Sequence, residues 1–299
     1  MELFAAQRQF SAYSPSHWAA IAVFVIGAAL LVWIGRRQTE SQARRLGRIL
    51  GVLTAAIYGS VLIYQLIPPT IGESVPLRLT DLATVAAAYA LWSQRRWAFA
   101  LTYYWGLVLS TQALITPVLT SPDFPHYQFL AFWATHLLVV WAAIYLTWGR
   151  RLRPEWRSYR IAVVVTVVWA AVTFTFNSIA GTNYGFINKK PATATLLDLL
   201  GPWPVYVLTA ATLILIVWAL MTLPWQRHTA TGISPSITNS CARTCSVGST
   251  ASTPISPDIH EQIQARLAPF LWKAILDTRV LIAEDLGAAP PLVLARVEC

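Results

Sequence analysis

Charge is scarce in this chain, and cysteine is confined to its end. Only 12% of the 299 residues are Asp, Glu, Lys or Arg, against roughly 25% in an ordinary soluble domain. So little charge cannot cover a solvated surface, and 56% of the residues are hydrophobic. The three cysteines, Cys241, Cys245 and Cys299, fall in the last fifth. Their position excludes a disulfide framework and a thiol nucleophile from the apolar body. Cys241 and Cys245 with a distant His260 make a poor zinc pattern, so two unrelated thiols and no metal are expected. Met1–Pro15 holds a Glu, an Arg and no apolar core, so no cleavable signal peptide is expected. No cofactor is expected either.

What is abundant points to a bilayer. Fourteen Trp and eleven Tyr suit aromatic belts at two membrane interfaces, and the mean hydropathy is +0.52. Seven apolar runs follow one another: Ser16–Ile34, Leu50–Ile67, Val75–Trp92, Trp97–Leu119, Phe129–Trp148, Ile161–Ala180 and Val205–Pro224. Most approach the roughly 20 residues a helix needs to cross about 30 Å of hydrocarbon. The third is the weakest, because Arg78 and Asp81 interrupt its first turns, and a buried, non-spanning helix is its alternative. The expected fold is all-α, a polytopic membrane helical bundle of about seven transmembrane helices.

The formal net charge is +9, but the basic residues lie in short loops between apolar runs. That distribution reads as membrane topology and not as nucleic-acid binding. Thirteen arginines occupy alternate loops: Arg36, Arg37, Arg44, Arg45 and Arg48, then Arg95 and Arg96, then Arg150, Arg151, Arg153, Arg157 and Arg160, then Arg227. The intervening segments hold four basic residues, Arg8, Arg78, Lys189 and Lys190. The positive-inside rule then sets the amino terminus outside and the carboxy terminus in the cytoplasm. The segments with unusual polar residues all fall on the outer side.

The expected organisation is a seven-helix transmembrane domain over residues 1–228, a flexible linker over 229–257 and a cytoplasmic tail over 258–299. The linker is rich in Ser, Thr, Gly and Pro. In the tail, Ile259, Ile263, Leu267, Phe270, Leu271 and Ile275 recur at helical spacing, which predicts one short amphipathic helix.

Ionisable groups at membrane depth are expensive and are functional candidates by default. Arg78 and Asp81 stand three apart, so on a helix they share a face and can pair. Arg78 can equally snorkel to head groups, bind a lipid phosphate or orient Asp81. Thr80 between them is, by itself, an ordinary membrane-helix threonine bonding back to the preceding turn. His126 sits in an outer loop stiffened by Pro122 and Pro125, whereas His136 lies inside an apolar run. At about 1.5 Å per residue, Thr80 and His136 come to similar depths, roughly 7–10 Å from the same side. A threonine needs a base to become a nucleophile, and a neutral histidine can serve. A satisfied interhelical hydrogen bond is the plainer reading. Asn183, Tyr184, Asn188, Lys189 and Lys190, with Asp198 downstream, can hold a polar head group. The same Asn, Gly and Pro residues also suit a tight re-entrant turn. Gln112 adds a possible hydrogen-bonding wall.

Several of these residues recur together. Pro76-Leu77, Leu79 and Asp81-Leu82, then Tyr104-Trp105-Gly106 with Gln112-Ala113-Leu114, Phe124-Pro125-His126 and His136 come first. Asn183-Tyr184, Asn188-Lys189-Lys190-Pro191 and Leu196 to Pro204 complete the order. Over roughly His17–Trp225 this order resembles the bacterial YwaF-like integral membrane proteins, which are similar to the transmembrane protein 164 family. The resemblance implies seven helices in a bacterial cytoplasmic membrane. It also implies lipid acyl chemistry: the eukaryotic relatives are described as acyltransferases with a cysteine–histidine pair. More distant androgen-induced hydrolases are described as using a threonine with a histidine. The cysteine position is occupied by Thr80, a histidine commonly found two residues earlier by Arg78, and the paired histidine by His136.

The expected function is a lipid acyltransferase or lipid-ester hydrolase. Thr80 would act as nucleophile, His136 as base and Asp81 as orienting group, with membrane lipids as partners. The alternative is a non-enzymatic lipid- or solute-binding membrane protein. No internal repeat supports a transporter, and no lysine in the last span supports a retinal protein.

Overall fold

The computed structural model describes residues 8–117, 119–191 and 196–226. The expected linker over 229–257, the tail over 258–299 and all three cysteines lie outside the described residues. Seven helices are present among these: α1 Pro15–Arg37, α2 Glu40–Gln65, α3 Leu79–Ser93, α4 Arg96–Ile115, α5 Tyr127–Gly149, α6 Trp156–Ala180 and α7 Val205–Gln226. Six of them are long and apolar enough to cross a membrane. The fold is a polytopic all-α bundle, with only two isolated β-bridges among the described residues.

Local chemistry sets the helix limits. Pro15 occupies the first turn of α1, and Arg36 and Arg37 its last turn, where cations complement the helix dipole. Helix α2 begins ten residues before its apolar run, because Thr39 and Gln42 cap each other's backbone at 2.9 and 3.4 Å. Arg44, Arg45 and Arg48 therefore ride on helical turns at one end of the bundle. Helix α3 starts later than the run Val75–Trp92 suggests. Arg78 is extended, at φ −65° and ψ 138°, and serves as the N-cap, so α3 has only 15 residues. It ends at Gln94, which is left-handed at φ 52°, and α4 starts two residues later. The middle of α4, Gly106–Ser110, and the end of α5, Tyr145–Gly149, each contain a π turn.

Helices α3, α4 and α5 form the interior. In their most apolar windows α4 and α5 are 61% and 56% buried, against 6% for α1. Helix α3 packs on α2, α4 and α5 through Ala83, Ala86, Ala87 and Ala90, all buried. Lipid offers no hydrophobic drive for helices to associate, so small residues that permit close approach do the work. A Cβ on Gly47 of α2 would sit 2.6 Å from the Leu91 carbonyl oxygen, and one on Gly51 2.8 Å from that of Ala88. Helix α7 is tied to α4 by Tyr104 and Thr222, 2.7 Å apart, and by Tyr103 donating to the Met221 carbonyl at 3.1 Å.

This packing makes a test. Gly47→Leu has to displace backbone, and the expected loss is about 1–3 kcal/mol, read as a lower melting temperature in detergent. Gly59→Ala, with nothing within 4 Å of the added Cβ, is expected to leave the melting temperature unchanged or slightly higher.

Candidate functional site

The chain between α2 and α3 is non-helical and is held by side chains from distant helices. The Tyr184 hydroxyl donates to the Ile71 carbonyl at 2.7 Å and accepts from the Val75 N–H at 3.1 Å. The Trp169 indole of α6 donates to the Leu77 carbonyl at 2.9 Å. Ser74 donates to the Gln65 carbonyl and accepts from the Thr70 N–H. Gly185 lets Trp169 come close: its φ is +66°, and a Cβ there would sit 2.7 Å from the indole ring. Only glycine accommodates both demands readily.

Asp81 completes the start of α3. Its carboxylate accepts the Arg78 N–H at 3.1 Å and is 7% exposed. The expected helical pairing of Arg78 with Asp81 therefore changes form. Arg78 stands outside the helix, so its backbone meets the carboxylate. Its guanidinium acts on Asp81 through space, with no ion pair within 4 Å among the described residues. The buried Tyr58 hydroxyl of α2 also lies beside Asp81 and interacts with its carboxylate.

Thr80 is the second residue of α3. Membrane-helix threonines ordinarily bond back to a carbonyl three or four residues earlier, as Thr84 does to the Thr80 carbonyl at 2.8 Å. For Thr80 that earlier turn does not exist, and its hydroxyl has no hydrogen-bond partner among the described residues. The N–H groups of Leu79 and Thr80 likewise meet no acceptor there, as expected of a first helical turn.

His136 lies on α5, which packs directly on α3. Its ring meets Phe132 at 4.5 Å, and it forms no hydrogen bond among the described residues, to Thr80 or to any other group. The other two described histidines are committed. His17 accepts from the Tyr13 N–H at 2.8 Å, which leaves its Nε2 protonated to donate to the Leu114 carbonyl at 2.9 Å. His126 caps α5 by accepting from the Gln128 N–H at 3.3 Å.

The residues after α6 are gathered by Asn177, which is 2% exposed. Its amide nitrogen donates to the Tyr184 carbonyl at 3.0 Å and to Asn188 Oδ1 at 2.8 Å. Its amide oxygen accepts from the Tyr184 N–H and the Thr182 hydroxyl, both at 2.8 Å. Asn183 clasps the Lys189 backbone at 2.9 and 3.2 Å. Asn183, Tyr184 and Asn188 thus spend their polar groups on the turn itself. Lys190 pairs with Asp198 at 3.3 Å and lies over the Tyr206 ring, while Lys189 is exposed. Gln112 is exposed on α4, without a side-chain hydrogen bond among the described residues. His126 and Asp123 line a 360 Å³ surface cavity with Arg8 and Phe124, at the α4–α5 loop. Sequence reasoning missed Asn177, Trp169 and Tyr58. An amide inside the apolar run Ile161–Ala180 was the available signal for Asn177; two aromatics in membrane helices carried none.

The profile of the TMEM164 family matches residues 12–222. The chain belongs to the TMEM164 family. No curated protein and no solved structure matches it. The matched region takes in six whole helices, nearly all of the seventh and every candidate residue named from the sequence.

In this TMEM164-family domain, Asn177→Ala strips the Tyr184 N–H and carbonyl of buried partners. The expected cost is about 1–3 kcal/mol for each group left unpaired. Hydrogen exchange should accelerate in both Tyr184–Lys190 and the Ile71–Leu77 segment, and acceleration in the first alone would uncouple the two.

Proposed function

We propose that the chain is a membrane enzyme acting on lipid acyl esters, with Thr80 as nucleophile and His136 as base. The observation that carries this reading is a contrast in commitment. Asp81, Asn177, Asn183, Tyr184 and Asn188 are spent on structure, whereas the Thr80 hydroxyl and the His136 imidazole, on adjacent packed helices, are unspent. A half-buried histidine with no structural duty is costly inside a membrane helix, which favours a functional role.

In the proposed reaction His136 takes the proton of Thr80 Oγ1 as that oxygen attacks the ester carbonyl. The unpaired N–H groups of Leu79 and Thr80 face the developing oxyanion. The ester C–O bond then breaks, the alcohol leaves with the proton held by His136, and an acyl-threonine remains. Water releases a fatty acid, or the hydroxyl of a second lipid accepts the acyl group, and Thr80 recovers its proton through His136. Asp81 is a positioning residue, because it caps the turn that carries Thr80. Arg78, free of a carboxylate, receives a lipid phosphate; Lys190 is already neutralised by Asp198.

Labelling of the purified protein with a fluorophosphonate directed at activated hydroxyls tests the pairing. Wild type is expected to label, and Thr80→Ala and His136→Ala to lose labelling by about 100-fold or more with helicity unchanged. Labelling undiminished in Thr80→Ala would end the nucleophile assignment. Absent labelling together with a stoichiometric co-purified lipid would favour a static lipid-binding site.

We further propose that the site opens on the outer face of a bacterial cytoplasmic membrane, since thirteen arginines mark the other side. With the native cysteines replaced by serine, Thr120→Cys is expected to react with an impermeant maleimide in intact cells, and Ser41→Cys only after lysis. The reverse pattern would invert the topology.

A further inference from the structure

At the arginine-rich end, away from Thr80 and His136, α1 and the last helical turns of α5 border a groove of 580 Å³. Its volume falls within the roughly 300–1,000 Å³ typical of small-molecule sites. Ala28, Ala29 and Ile144 form its apolar part, and Trp33, Arg36 and Arg37 its polar mouth. From Ala28 to Arg37 the helix rises about 13–14 Å, close to the depth of one leaflet, about 15 Å. The groove therefore runs from head-group level towards the bilayer centre.

Its mouth is positive and uncompensated. Glu40 and Glu155 are the acidic residues described at this end of the bundle. Each is taken by another arginine, Glu40 by Arg150 at 2.6 Å and Glu155 by Arg96 at 2.7 Å. Arg36 and Arg37 have no carboxylate partner among the described residues. The Arg36 Nε donates to the Trp148 carbonyl at 3.3 Å, which orients the guanidinium and leaves its terminal nitrogens unspent. The Arg37 guanidinium rests 4.4 Å from the centroid of the Trp33 ring, a cation–π contact that holds it beside Arg36. Two oriented guanidinium groups at the mouth of an apolar groove match one ligand: a phosphate at the mouth with an acyl chain beneath it.

We propose that the groove bounded by Ala28, Ala29, Trp33, Arg36, Arg37 and Ile144 binds one anionic phospholipid of the adjoining leaflet. This site is separate from the proposed catalytic pair and does not depend on it. It gives α1, the least buried of the spanning helices, an apolar neighbour on its exposed side.

The test is native mass spectrometry of the full chain released from nanodiscs of phosphatidylcholine with a minor share of phosphatidylglycerol. Wild type is expected to retain one phosphatidylglycerol in preference to phosphatidylcholine. Arg36→Gln/Arg37→Gln should weaken that retention roughly 10- to 30-fold, the effect of about two surface arginines. Ala29→Trp, which fills the channel without altering charge, should weaken it too. Arg44→Gln/Arg45→Gln removes the same charge from a neighbouring turn and should leave it unchanged. Equal retention of the two lipids by wild type, or equal loss in the Arg44/Arg45 control, would overturn the proposal. Because Thr80 labelling is read separately, failure here leaves the catalytic reading untouched.

Discussion

The Tyr184 hydroxyl, shared between the Ile71 carbonyl and the Val75 N–H, is the contact on which the arrangement around α3 depends. A membrane interior tolerates non-helical backbone only where protein groups satisfy it. Helix α3, at 15 residues, spans only about 22 Å of a hydrocarbon core of about 30 Å. The chain before it has to reach inward to meet its first turn. Tyr184, Trp169, Ser74 and Asp81 supply the missing partners, and Asn177 holds Tyr184. One buried amide thus supports a tyrosine, the tyrosine supports a loop, and the loop sets where Thr80 begins a helix.

That broken start has a chemical consequence. A threonine deeper in α3 would silence its hydroxyl on the preceding turn, as Thr84, Thr102, Thr135 and Thr166 do on theirs. At the second position of a helix no such turn exists. The short helix therefore leaves a free hydroxyl, two free N–H groups and a capped carboxylate at one spot, with an uncommitted imidazole on the adjoining helix. Close packing along Gly47 and Gly51 presses α2 on the far half of α3, at Ala88 and Leu91.

The two ends of the bundle differ in kind. At the end bearing Tyr184 the polar groups close on one another, amide to backbone and lysine to carboxylate. At the arginine-rich end cations outnumber carboxylates, and Arg36 and Arg37 are exposed. One end is built from hydrogen bonds between distant segments, and the other presents charge outward.

Much of the architecture was legible in the residue order. The seven apolar runs correspond to the seven helices, six of them long and apolar enough to span, and the described arginines of alternate loops fall at one end, because both signals are local and follow from the thickness and charge of the membrane. Arg78 and Asp81 marked the third run as the weak one for the same reason, since charge early in an apolar helix resists burial. The resemblance carried by Asn183–Pro204 and its companions agrees with the family membership. What residue order left undecided is which polar groups remain free. Asn183, Asn188 and Tyr184 look like ligand-holding residues in sequence, and Thr80 looks like an ordinary membrane threonine; folding engages the first three and frees the last. Their partners come from far along the chain, 92 residues between Trp169 and Leu77 and 113 between Tyr184 and Ile71. A hydrogen bond is satisfied or left open only when such distant groups meet, so hydropathy and charge determine the spans while tertiary contact decides the chemistry.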